Sequence, residues 1–319
     1  MRQIARAGDV AGLIGVAEDV RREPLSGCRD LSVGTTMNNQ SEVVAQPMYS
    51  VDVMGKPTAD DPERADILGV RVRRWNLAQT VDAVEESIRR KERRYAVFIN
   101  VYNVIEARRD PEYCQALNDA DFPMADGIPL VWASRLSGQA VGSRCCGPDF
   151  LVEMNKRAAK KGYTVYIMCG GDKKAERTAE AFQTMHPELK IVGAWTPPWG
   201  PISEENNNYI LGELERTQPD IFWVGLGAPL QERWVWMNRR RIPARFTGAV
   251  GGAFDYHIGM RKRAPRWMQR RGLEFWYRVS QDPSLFWKKR HHEDFHKFVL
   301  PALVQAAKLR LGGKSASRS

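Results

Sequence analysis

Apolar residues first recur at helical spacing at Leu77, Val81, Val84 and Ile88, the i, i+4, i+7 and i+11 positions of one helix face. The run 95–101 then predicts a buried strand, and Val104, Ile105 and Ala107 belong to a helical stretch after it. From Gly162 the alternation becomes regular. A strand over 163–169 ends in Gly170-Gly171, a helix covers 174–185, a short strand covers 189–194 and a helix covers 203–216. The strand 220–224 ends in Gly225-Leu226-Gly227-Ala228-Pro229, a helix runs through 234–240, and the strand 244–250 ends in Gly251-Gly252. Strands and helices joined so closely make parallel βαβ units. The expected fold is α/β, a Rossmann-like parallel sheet with helices on both faces, followed by a basic helical C-terminal appendage. Three strands ending in glycine-bearing turns put those turns on one sheet edge, where helix N-termini and backbone N–H groups converge on ligands. A nucleotide diphosphate fits such an edge best.

Composition changes the picture mainly at the ends. The chain has 319 residues, 43% hydrophobic and 27% charged, enough for one large α/β domain or two small ones. No stretch approaches the length of a bilayer-spanning helix. The apolar run 11–17 is hemmed in by Asp9, Glu18 and Asp19 and does not read as a secretion signal. Residues 1–50 show no sustained period and are expected to be a loosely ordered extension or the product of a misplaced start. The expected division is an extension over 1–60, a catalytic α/β domain over 61–260 and a basic, membrane-associating appendage over 261–319. Cys28, Cys114, Cys145, Cys146 and Cys169 are odd in number and lack zinc-ligand spacing, which fits a reducing cytoplasm.

The net charge of +10 sits almost wholly after residue 260, where fifteen Lys and Arg face four Asp and Glu. Such a segment suits nucleic acid, an anionic membrane surface or a diphosphate. It ends in a stretch around 295–311 where Phe298, Leu300, Leu303, Ala306 and Leu309 interleave with Lys297, Lys308 and Arg310. That composition suits a helix lying in a membrane interface. A helix docked on the core with a solvated basic face is the alternative.

Three constellations could carry chemistry. The first joins Asn100 and Asn103, after a strand, to Asp121 and the turn Met124-Ala125-Asp126-Gly127. A carboxylate at the mouth of a parallel sheet can take a proton from an attacking hydroxyl; equally, Asp126 can cap a helix starting at Ile128. The second is Gly225-Leu226-Gly227-Ala228-Pro229-Leu230-Gln231-Glu232, a turn that lets a ligand approach backbone. It lacks the third glycine of the dinucleotide fingerprint, which disfavours a nicotinamide enzyme. The third is Val250-Gly251-Gly252-Ala253-Phe254-Asp255 with the arginines beyond it, which could neutralise a leaving diphosphate. The stretch His291-His292-Glu293-Asp294-Phe295-His296 has metal-ligand residue types without the H-E-x-x-H order. No metal or cofactor is expected.

In order along the chain stand Phe98-Ile99-Asn100, Ala125-Asp126-Gly127-Ile128-Pro129, Arg144-Cys145-Cys146-Gly147-Pro148-Asp149, the Gly225–Glu232 turn, Val250-Gly251-Gly252-Ala253-Phe254-Asp255, Arg263-Ala264-Pro265-Arg266-Trp267 and Gly272-Leu273-Glu274-Phe275-Trp276-Tyr277-Arg278. Together these segments resemble the WecG/TagA/CpsF family of glycosyltransferases over about 69–283, two thirds of the chain. The resemblance implies an inverting, metal-independent transfer from a UDP-sugar to an undecaprenyl-diphosphate-linked saccharide, at the inner face of the bacterial cytoplasmic membrane. It makes Asp126 the general base, with Asn100 near it. It carries Gln231 to the donor pocket and Arg278 to the appendage that closes over the diphosphate. The expected substrate and nucleotide contacts are Gly127, Arg144, Asp149, Gly170, Gly227, Gln231, Gly252 and Asp255, and Arg263, Arg278 and Lys288 are expected at the diphosphate and the anionic membrane surface. Two departures stand out. The arginine that relatives often carry two residues after the proline matching Pro283 is Leu285 here, with Lys288, Lys289 and Arg290 nearby. Position 103 is Asn where many relatives have His. The competing readings are a nucleic-acid-binding protein using the basic aromatic tail and a sugar-nucleotide-binding regulator without catalysis. Monomer and homo-oligomer both stay open.

Overall fold

The computed structural model describes residues 61–283 and 291–316. A short antiparallel hairpin, β1 (Arg64–Ile67) and β2 (Val70–Arg73), precedes the main sheet and packs beside its edge. The sheet has six strands: β3 (Arg94–Ile99), β4 (Phe122–Ala125), β5 (Thr164–Cys169), β6 (Lys190–Trp195), β7 (Ile221–Gly225) and β8 (Phe246–Ala249). Their spatial order is β4-β3-β8-β7-β5-β6, and every pairing is parallel. The expected α/β architecture is therefore present.

Period-two alternation sends the strands' side chains into two cores, as a parallel sheet covered on both faces requires. Val97, Ile99, Tyr166, Met168, Phe222 and Val224 face one core. Ala96, Phe98, Val165, Ile167, Ile221 and Trp223 face the other. The helices α1 (Leu77–Arg89), α5 (Gly147–Lys161) and α6 (Lys174–Met185) cover the second face. The first face is covered by α2 (Val101–Arg109), α3 (Pro111–Asn118), α4 (Ile128–Leu136), α7 (Glu204–Thr217) and α8 (Leu230–Asn238). In α1 the buried set Val81, Val84 and Ile88 is the one the spacing predicts, and Asn76 and Gln79 close a reciprocal capping box at its start.

Several elements were hidden in the sequence. The hairpin carries Arg64, Arg71 and Arg73, which blur its alternation; Arg64 is nevertheless buried, donating to the Asn118 and Ala120 carbonyls at 2.9 and 2.8 Å. β4 holds Pro123 and reads as a turn, but it is an edge strand, where a proline is tolerated. α8 begins four residues before the expected 234, directly after the cis Ala228-Pro229 bond.

After a 3-10 turn (Gly251–Tyr256) come α9 (Arg266–Arg270), α10 (Glu274–Gln281) and α11 (His291–Ala316). The last helix is docked on the core: Phe298, Ala302 and Ala306 are buried, and it packs on α2 and α4. Gln305 ties it to the hairpin, donating to Asp66 Oδ1 at 2.7 Å and accepting from the Leu68 N–H at 3.0 Å. Leu300, Leu303, Val304 and Ala307, spaced i, i+3, i+4 and i+7, form an exposed face of the same helix. The helix is thus docked on the core by one face, and a second, apolar face is exposed.

Trp223 illustrates how closely the second core is packed. A Cβ on Gly248 of the neighbouring strand would lie 2.3 Å from the Trp223 ring, whose indole N–H is fixed by Asn155 Oδ1 at 3.0 Å. Gly248→Ala should destabilise the fold by about 1–3 kcal/mol through overpacking. A thermal melt should show it as a fall of several degrees, and an unchanged Tm would contradict this packing.

Candidate active site

Because the six strands are parallel, the ends of β4, β3, β8, β7 and β5 stand side by side on one edge. The three glycine turns fall there, as expected. Asp126 follows β4, and its N–H donates to the Ile99 carbonyl at 2.8 Å, extending the β3–β4 ladder by one residue. The helix beyond starts at Ile128, but its N-cap is Gly127 and no side chain caps it. The capping role open to Asp126 from sequence is therefore not the one it takes. Its carboxylate instead meets the Gly147 N–H, at the first residue of α5. One fixed N-terminal amide and a strand end constrain this side chain.

Asn100 stands next to it: its Cα lies 3.8 Å from where a Cβ on Gly127 would be. Asn100 caps α2, accepting from the Tyr102 N–H at 2.9 Å, while Asn103 returns the bond to the Asn100 N–H at 2.9 Å. Asn103 is buried and donates to Tyr113 Oη at 2.7 Å. Asp121, grouped with these residues in the sequence, lies at the other end of β4, paired with Arg94 at 2.6 Å. The small depression lined by Arg93, Arg94, Tyr95 and Arg239 belongs to that opposite edge too.

A network of arginines and carboxylates closes the site on the side of α5 and α10. Arg144 Nη1 donates to Glu274 Oε2 at 2.8 Å, and Arg278 Nη2 donates to Glu274 Oε1 at 3.0 Å. Arg263 pairs with Asp149, and its guanidinium lies 5.9 Å from the centre of the Tyr256 ring; that of Arg278 lies 5.7 Å from the same ring. Cys146 Sγ accepts from Arg144 at 3.2 Å and from Arg263 at 3.3 Å, and donates to Asp149 at 2.9 Å. Arg263 and Arg278, from the basic segment, thus point into the site. Glu274, Cys146 and Tyr256 received no role from sequence. The signal for Glu274 was its place one helical turn before Arg278, the i, i+4 spacing of an ion pair.

Past the end of β7, Gly227 takes φ +82°, a conformation that favours glycine, and its N–H donates to Gln231 Oε1 at 3.2 Å. Gln231 is buried and donates to the Ala249 carbonyl at 3.3 Å and to Glu232 Oε1 at 2.8 Å. A Cβ on Gly251 would lie 3.4 Å from the Gln231 amide, and one on Gly147 would lie 3.3 Å from the Val250 carbonyl. A continuous line of contacts therefore runs from Asp126 through Gly147, Val250 and Gly251 to Gln231 and Gly227. Gly170 joins the edge through its N–H, bonded to the Gly225 carbonyl at 3.2 Å. Gly252 is exposed at the same edge. Asp255 is buried and faces Lys174 and Arg261, joining the 3-10 turn to the start of α6. Lys288 lies outside the described residues, as do Leu285 and the N-terminal extension.

Burial pushes the Asp126 carboxyl up to about 7; Arg144 and Arg278 pull it down and Glu274 pushes it up again. Burial would also raise Glu274, but Arg278 and Arg144 outweigh it and hold that carboxyl below the usual range. Asp149 is likewise held low, because Arg263 and Cys146 outweigh its burial. Burial drives the Cys146 thiol up to about 12, so it stays protonated. One carboxyl is thus raised toward neutrality beside two that are held low.

Comparison with known proteins gives the class to which this edge belongs: the protein is a glycosyltransferase. Residues 65–312 match the glycosyl transferase WecG/TagA/CpsF family, to which the chain belongs. Among its relatives is the N-acetylglucosaminyldiphosphoundecaprenol N-acetyl-beta-D-mannosaminyltransferase of Bacillus subtilis (strain 168), 28% identical over 231 residues, 72% of this chain and 87% of that one. The protein of the same name from Bacillus spizizenii (strain ATCC 23059 / NRRL B-14472 / W23) is 30% identical over 179 residues, 56% of this chain and 68% of that one. Among the described residues, no helix is long and apolar enough to cross a membrane.

The Asp126 shift has a consequence for stability. The folded state binds its proton more tightly than the unfolded chain does, so ionisation opposes folding. That penalty is absent below the unfolded value of about 4 and grows until the pH passes the folded value of about 7. Asp126→Asn should therefore melt a few degrees above the wild type at pH 8, the gap closing as the pH falls toward 5. Melts that coincide at every pH would show that burial does not strain this carboxylate.

Proposed function

We propose that the protein transfers a sugar from a UDP-sugar to a hydroxyl of a polyprenyl-diphosphate-linked saccharide in bacterial surface polysaccharide synthesis. Transfer inverts the anomeric centre and uses no metal ion. The observation that carries this reading is the place of Asp126: free of any capping duty, at the rim between the glycine turns and the arginines. The acceptor oxygen attacks the anomeric carbon from the face opposite UDP. As that bond forms, the bond to the β-phosphate oxygen breaks, and the hydroxyl proton passes to the Asp126 carboxylate. Arg263 and Arg278 balance the charge left on UDP, a task that guanidinium forks suit. Gln231, Gly227 and Gly170 line the nucleotide side. The names of the Bacillus relatives make UDP-N-acetylmannosamine the first donor to try and an N-acetylglucosaminyl-diphosphate lipid the first acceptor.

The inward aim of Arg263 and Arg278 favours a small anionic ligand over nucleic acid, which would call for outward cations. The exposed face of α11 supplies the remaining partner. Leu300, Leu303 and Val304 are flanked by Lys297, Lys308 and Arg310, an arrangement that fits an anionic membrane surface at which a lipid-linked acceptor is held.

UDP release measured over a panel of UDP-sugars, with a short-chain polyprenyl-diphosphate saccharide as acceptor, tests class and donor together. Asp126→Asn should lower kcat by about 10²–10⁴-fold while UDP binding, read by calorimetry, stays close to wild type. Equal loss of both would make Asp126 a structural residue. Leu300→Asp with Leu303→Asp should release the protein from phosphatidylglycerol vesicles in sedimentation; retention would remove α11 from the membrane contact.

A further inference from the structure

The C-terminal segment reaches Asp126 through a single side chain. Glu274 opens α10, is 7% exposed, and spends one oxygen on each of two arginines from different parts of the chain. Arg144 precedes α5, and Arg278 lies one turn further along α10. Without a carboxylate between them, two guanidinium groups in a buried space repel each other and would separate. We propose that Glu274 is a positioning residue for the transfer reaction: its two oxygens hold Arg144 and Arg278 beside Asp126, so that the base is tuned only when α10 is seated on the core.

This rests on Asp126 being the base. The groups facing Asp126 are Arg144 and the thiols of Cys145 and Cys146 from the α4–α5 connection, the Gly147 N–H at the start of α5, and Arg278 and Glu274 from α10. Glu274 in turn faces Arg263 and Tyr256. Among the charges, Arg144 and Arg278 act on Asp126 more strongly than Glu274 does, and in the opposite direction. The sign of the response therefore separates two roles. If Glu274 acted only as a nearby negative charge, its removal would make Asp126 more acidic. If it holds the arginines, its removal lets both cations move away, and Asp126 becomes less acidic. A glutamine keeps only one of the two acceptor oxygens and turns its amide NH₂ toward the other arginine.

The experiment is the pH profile of kcat/KM, measured by UDP release with the full chain, for wild type, Glu274→Gln, Glu274→Asp, Arg278→Gln and Asp126→Asn. Wild type should lose activity as the pH falls through about 7. In Glu274→Gln the acid limb should move up by about half to one pH unit, so that activity at pH 6.5, relative to the plateau, drops roughly three- to tenfold further. Arg278→Gln should move the limb in the same direction. Glu274→Gln combined with Arg278→Gln, measured alongside them, should move it no further than Glu274→Gln alone, because one acts through the other. Glu274→Asp, which keeps the charge on a shorter arm, should fall between wild type and Glu274→Gln. It also stands in should Glu274→Gln fail to fold. A limb that stays in place or moves down in the Glu274 variants overturns the proposal. Asp126→Asn judges the underlying reading separately: the limb should vanish, and a limb that persists there would remove Asp126 as the base, whatever the Glu274 variants do.

Discussion

Everything at the active edge depends on how a carboxylate is kept half out of water. A free aspartate is ionised and weakly basic at neutral pH, a poor acceptor for a hydroxyl proton. Burial raises its proton affinity, but burial alone would leave it protonated and useless as a base. The molecule sets two cations and one anion around Asp126, and the balance leaves it near neutrality. That balance needs the three charges in fixed places, because Coulomb terms in a partly buried site change steeply with distance.

The fold supplies the fixed places by ordinary means. Asp126 is anchored because its own N–H continues the β3–β4 ladder, and its neighbour Asn100 because capping α2 fixes its side chain. Arg144 sits at the approach to α5, a helix whose buried Phe150, Leu151 and Met154 lock it to the sheet. Only Arg278 and Glu274 come from outside the sheet, on a helix that buries little of its own surface beyond Glu274. The core is therefore preorganised, and ion pairs of Glu274 and Arg263 tie to it the part that completes it. Three arginines (Arg144, Arg263 and Arg278) face three carboxylates (Asp126, Asp149 and Glu274), so an incoming anion must compete with residues already in place. Arg263 and its partner Asp149 make the same kind of contact, which lets the site exist before its ligand arrives.

The sheet and most of its helices were legible in the sequence because strands buried on both faces announce themselves as apolar runs, and because glycines mark where they stop. Elements that bend this rule were not. β4 is short and contains Pro123; the β1–β2 hairpin alternates with arginines; α5 begins in Cys-Gly-Pro, which reads as a turn. Among the site residues, Asp126 and Gln231 stood beside glycines at strand ends, where position alone raised a question about them. Asp255 stood in as suggestive a place, yet its carboxylate faces Lys174 and Arg261. No local pattern distinguishes the two aspartates, because what separates them is which helix N-terminus and which cations arrive from elsewhere in the chain. Glu274 shows the converse: its partner Arg278 is visible at i+4, but Arg144 lies 130 positions away and no periodicity connects them.

That long-range pair sets one of the segment's few acids, Glu274, against the edge that carries Asp126. A cationic segment seeks any anionic surface, and a membrane offers one everywhere; attraction of this kind has no orientation. One buried carboxylate, satisfied only when it meets Arg144 and Arg278 together, converts that diffuse attraction into a single seated geometry. Specific placement here comes from the rare negative charge rather than from the many positive ones.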